Sequence, residues 1–170
     1  MQTTSLQFYS LNYSQEKTYL LAVAFVAGNI ILPQLCHFVP QGGLMLLPIY
    51  FFTLIGAYKY GWKLGILTAV LSPVANYLLF GMPALPALPA ILAKSVLLAL
   101  SAGLAVIYFK RITIPILALV ILAYQTVGTL LEWAMLGDFF KAIQDFSTGI
   151  PGMLIQIVGG YLVINYLIRK

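Results

Sequence analysis

LPAILAKSVLLALSAGLAVIYFKRITIPILALVILAYQTVGTLLEWAM, residues 88–135, holds two apolar runs joined by Lys110 and Arg111. Each run is about as long as the 20 residues an α-helix needs to cross a bilayer core, and a short basic turn of this kind stays on the cytoplasmic side. Working outward, the sequence predicts spans at 18–38, 43–58, 62–80, 88–109, 113–135 and 150–168. The second is short for a crossing, which predicts a tilted or re-entrant end. Six spans use about 120 residues, and what remains is too little for a soluble catalytic domain. The expected fold is an all-α membrane protein: one domain over residues 1–170, six transmembrane helices, both termini cytoplasmic.

The composition leads to the same class. Of 170 residues, 62% are hydrophobic and 8% charged, against about 25% charged in a soluble domain. A mean hydropathy of +0.99 excludes a disordered chain as well. Cys36 is the single cysteine, so neither an internal disulfide nor a cysteine-built metal cluster is available. The opening MQTTSLQFYSLNYSQEKTY has no basic segment running straight into an apolar core, which predicts no cleaved leader.

Charge placement sets the orientation. With six spans, Lys17, Lys59, Lys63, Lys110, Arg111, Arg169 and Lys170 fall on one side, and Lys141 alone falls on the other, beside Asp138 and Asp145. That bias predicts the basic side inside. The outer connections are longer. GMPALPALP, residues 81–89, has prolines at three-residue spacing and should turn or extend. Residues 136–150 carry Phe139, Phe140 and Phe146, the pattern of an interfacial helix or a lid.

Polar residues within spans are costly and each marks a candidate site. They gather toward the outer half: Gln34 and His37, Asn76, Lys94, then Gln125, Thr126, Thr129 and Glu132, and Gln156. With apolar sequence below, they predict a cup open to one face. Lys94 lies about 9 Å along its helix from the outer end. Three roles fit it: snorkelling to the surface, contact with an anionic ligand, or an ion pair with Glu132 at similar depth. His37 suits an interfacial hydrogen bond or a ligand contact. Asn76 and Gln125 suit bonds between helices or to substrate. Tyr77 and Tyr124 lie deep enough to pack on a ligand ring. Pro33, Pro48 and Pro73 predict kinks that free backbone carbonyls.

No GxSxG, HExxH, paired-acid or Walker-type motif occurs. The sequence therefore predicts no enzyme, no cofactor, no bound metal and no nucleic-acid partner, and energy for any uphill transport would come from another subunit. In the first span Ala24 and Gly28 stand four apart with Ala27 between them, a smooth strip for a partner helix or for packing inside the domain.

LLPIYFFTLIGAYKYGWKLGILTAVLSPVANYLLFGMPALPALPAILAK, residues 46–94, has a proline-led second span, a short glycine-containing inner turn and an outer GMP segment leading into the fourth span. Together with size and six spans, it resembles the substrate-binding S components of energy-coupling factor (ECF) transporters. The resemblance covers most of the chain. It implies uptake of a vitamin or vitamin precursor, with substrate held near the outer face between spans four to six and the outer loops. It also implies a transmembrane scaffold subunit, two cytoplasmic ATPases, and the cell membrane of a bacterium or archaeon. The family's Ala-x-x-x-Ala docking motif on the first span falls on Ala24 and Gly28, the second position departing from alanine. Similar sequences often carry an acid near the position of Lys94. The lysine here implies an anionic ligand such as pantothenate, nicotinate, biotin or lipoate. The alternative is a structural scaffold similar to the multi-span rod-morphogenesis proteins, which would need neither Lys94 nor a one-sided cup.

Overall fold

A computed structural model of the chain describes residues 10–169. Lys170 lies outside them, as do the side chains of Asp145 and Arg169. The helices are α1 (Glu16–Cys36), α2 (Gly42–Leu46), α3 (Phe51–Tyr60), α4 (Trp62–Phe80), α5 (Leu88–Phe109), α6 (Ile114–Leu136), α7 (Phe139–Thr148) and α8 (Ile150–Arg169), with a 3-10 turn at Pro48–Tyr50. No strand occurs among the described residues. Among the described residues, six segments are long and apolar enough to cross a membrane: α1, the run Gly42–Tyr60, α4, α5, α6 and α8. The chain is a multi-pass membrane protein.

Local chemistry sets the helix ends. Gly81 and Gly137 close α4 and α6 in the left-handed conformation, with φ of 66° and 70°, which glycine adopts without strain. Thr113 caps α6, its hydroxyl accepting from the Ile116 amide at 3.4 Å, and Pro115 fits the first turn, where an amide is not needed. Residues 81–87 stay outside helix, as the prolines predict.

The second span departs from the single short helix expected at 43–58. It breaks at Leu47, which takes a left-handed φ of 46°, and Pro48 then opens the 3-10 turn. Neighbours hold the break. The Gln156 amide approaches the Leu47 carbonyl at 3.5 Å. At Gly152, an added Cβ would stand 2.5 Å from the Leu46 carbonyl carbon, so α8 leans directly on this backbone.

The broken span fills the centre. α3 packs on α1, α4, α5 and α8, while α5 packs on α4 and α6, and α6 on α7 and α8. Small residues bring the helices close: Gly65 meets Ala57 and Ala99, and Gly103 meets Trp62. At one end the Leu11 amide donates to Tyr60 O at 3.1 Å, Lys63 donates to the Asn12 side chain, and the Tyr58 hydroxyl donates to Arg111 O at 2.7 Å. The basic turns thus gather together. The proline-rich segment and the α1–α2 connection meet at the other end.

α1 sits at the margin. Leu20, Val23, Ala24, Ala27, Ile31 and Leu35 form an open apolar face. Gly28 turns the other way: a Cβ there would stand 2.8 Å from the Phe52 ring. Of the three small residues expected to form one strip, Ala24 and Ala27 are therefore outward and Gly28 packs on the second span.

Candidate functional site

Proline in a helix removes one amide, so the carbonyl four residues earlier loses its donor. Pro33 does this to Asn29 in α1. The Asn76 side-chain amide of α4 supplies the missing donor, at 2.9 Å from Asn29 O, and also donates to Ser72 O at 3.0 Å. The Asn29 side chain is itself fully engaged. Its amide nitrogen donates to Thr53 Oγ1 at 3.1 Å and Ser72 Oγ at 3.0 Å, and its oxygen accepts from the Phe52 amide at 3.1 Å. Asn29, Thr53 and Ser72 are fully buried. The result is a satisfied polar seam joining α1, α3 and α4.

Beside this seam a cavity of about 320 Å³ opens at the bundle end away from the basic turns. Its walls are apolar, from Pro33, Pro48, Ile49, Pro83, Ala87 and Ile91, and its polar points are Gln34, His37 and Asn76. Gln34 Nε2 is buried without a hydrogen-bond partner. Both donor hydrogens of Asn76 are committed to backbone carbonyls, so its oxygen is what it offers a ligand. His37 is the one titratable side chain in the lining. An apolar pocket of this size with a few fixed polar groups suits a small organic molecule.

The other sequence-selected residues lie elsewhere, so the expected single cup divides in three. Lys94 is 1% exposed and its ammonium lies 2.5 Å from Glu132 Oε2. It neither snorkels nor lines the cavity; of its three roles, the ion pair is the one formed. Its stem crosses Gly128, where an added Cβ would stand 2.5 Å from Lys94 Cγ. Gln125 is on the same α6 stripe, fully buried, with both amide atoms unpartnered. Gln156 belongs to a third group: its oxygen accepts from the Tyr124 hydroxyl at 3.1 Å, and Tyr124 stacks obliquely on Tyr50, ring centres 5.6 Å apart. Tyr77 is half-buried on α4 and lines no described cavity.

Two features escaped sequence reading. The cavity sits among α1, α4, the start of α5 and the second span, whereas the family resemblance places substrate between spans four to six. Asn29 was not singled out, although its position four residues before Pro33 is the signal that its carbonyl needs an outside donor. Among the described residues, no three His, Cys, Asp or Glu side chains are grouped to hold a metal ion. Comparison with known protein families, with curated proteins and with solved structures gave no match.

Proposed function

We propose that this chain is the membrane-embedded substrate-binding subunit of an ATP-driven uptake transporter for a small micronutrient. The observation that carries the reading is the cavity of about 320 Å³ at one end of the bundle, apolar with three polar points and floored by a satisfied hydrogen-bonded seam. A binding cup closed below is what a capture subunit needs. A channel would need polar lining throughout.

The basic turns at the far end favour a cytoplasmic position for that end, with both termini inside and the cavity facing out. The sequence carries no nucleotide-binding loop, so the reading assigns energy to two ATPase subunits coupled through a membrane scaffold subunit. The open face of α1, with Ala24 and Ala27, offers that scaffold a smooth approach. The reading places the protein in a bacterial or archaeal cell membrane. Because Glu132 already holds the Lys94 charge, a ligand carboxylate, as in pantothenate, nicotinate, biotin or lipoate, would be met by the Gln34 amide and the His37 imidazole.

The test is a thermal-shift screen of the purified protein against water-soluble vitamins and their precursors. A saturable rise in melting temperature with one compound supports the reading. A flat response to all of them favours the morphogenesis-type scaffold.

A further inference from the structure

We propose that a crevice between α6 and α7 holds an acyl chain of a bilayer phospholipid, with the Thr129 hydroxyl donating to that lipid's ester carbonyl. The crevice measures about 270 Å³ and is lined by Thr126, Thr129, Leu130, Phe139, Ile143 and Phe146. It shares no residue with the larger cavity, and the inference does not depend on the transport reading.

Three observations identify the occupant. First, Thr129 is 6% exposed and its hydroxyl has no partner in the protein. A buried hydroxyl in an apolar setting calls for an acceptor. Second, the neighbouring α6 residues Val127, Leu130 and Leu131 are exposed. On a spanning helix such residues face lipid, so the mouth of the crevice opens to the bilayer. Third, an aromatic row stands at its rim. Trp133 packs edge-on against Phe139 at 5.4 Å, and Phe139 against Phe140 at 6.1 Å. A tryptophan so placed marks the headgroup boundary, and Thr129 lies four residues, about 6 Å, below Trp133.

α7 fits this level. Phe139, Ala142, Ile143 and Phe146 recur at helical spacing on one face, and Lys141, Gln144 and Ser147 on the other. Ala142 is buried, while the Lys141 side chain is exposed and paired with Asp138 at 3.5 Å. An amphipathic helix along the boundary thus roofs an apolar slot whose buried, unpartnered polar atom is the Thr129 hydroxyl. An acyl ester supplies the complement: a chain for the slot and a carbonyl for the hydroxyl.

The test uses the full chain in nanodiscs of phosphatidylethanolamine and phosphatidylglycerol. A trace phospholipid carries a photoreactive diazirine near the start of one acyl chain, and crosslinks are mapped by mass spectrometry. Labelling of residues 126–146 should exceed that of α8 around Leu154, Val158 and Leu162, an equally open apolar face, by several-fold. An ether-linked probe of the same length, lacking the carbonyl, should lose most of that preference. Thr129→Val should reduce ester-probe labelling to the ether level. Equal labelling of the two faces, or equal crevice labelling by ester and ether probes in the wild type, would overturn the proposal. The wild-type comparison decides the matter even if the variant does not fold.

Discussion

Asn76 donates to the carbonyl of Asn29 at 2.9 Å, replacing the amide that Pro33 removes from α1. One bond thereby repairs a helix, joins α1 to α4 and fixes the polar residue at the base of the cavity. The proline shapes the cavity wall, and a buried asparagine on another helix compensates for its backbone effect.

Asn29→Leu should therefore be among the most damaging single changes in the seam. It removes the side-chain acceptor of the part-buried Phe52 amide, at up to about 1–3 kcal/mol, and takes a partner from both Thr53 and Ser72. Thr53→Val should cost less, because Asn29 keeps its bond to Ser72. Thermal unfolding in detergent should rank the two in that order; the reverse order would mean that the seam does not act as a unit.

The buried pair makes a second prediction. Lys94→Met leaves the buried Glu132 carboxyl without its ion-pair partner and should destabilise by about 3–5 kcal/mol. Adding Glu132→Met should recover much of that loss, since apolar residues often replace a buried pair at little cost. If Lys94→Met instead kept full stability and altered only ligand affinity, the lysine would be a ligand contact.

Gly152→Ala tests the broken span. The new methyl would press on the Leu46 backbone at 2.5 Å, and backbone cannot swing aside as a side chain can. Overpacking of this kind costs about 1–3 kcal/mol. Gly43→Ala, whose Cβ would meet only the His37 ring at 3.6 Å, is the matched control and should melt close to wild type.

α7 should respond to pH at its first turn. Asp138 accepts from the amides of Lys141 and Phe140 at 3.2 and 3.0 Å, and the hydrogen bond from the Lys141 backbone is the main cause holding its carboxyl below the ordinary carboxylate range. A depressed acid stabilises the folded form above its unfolded pKa and loses that contribution as pH falls through the folded value. Amide exchange in residues 140–146 should thus be faster, after correction for intrinsic rates, in Asp138→Ala than in wild type at neutral pH. The difference should shrink as the pH falls below the ordinary carboxylate range.

Much of the fold was legible in the sequence, because span length is a one-dimensional signal. The expected 62–80 and 88–109 coincide with α4 and α5, and α6 is displaced by one residue at each end. The break at Leu47 was not legible. Pro48 signals a disturbance, but the left-handed residue before it is held by Gln156 and Gly152, more than 100 positions away. The single cup failed for a related reason: depth along a helix can be counted, but facing depends on partners. Gln125 and Glu132 share the α6 stripe toward Lys94, Gln156 turns to Tyr124, and Gln34, His37 and Asn76 line the cavity.

The most direct measurement of the central claim is calorimetric titration of the vitamin that stabilises the wild type into Ala87→Trp. Ala87 lines the cavity and is exposed, so the larger ring can occupy ligand space without entering the core. The account predicts at least about a hundredfold weaker binding, equivalent to about 2.7 kcal/mol, with an unchanged melting temperature in the absence of ligand. Unchanged affinity in Ala87→Trp would contradict it and place the binding site elsewhere in the bundle.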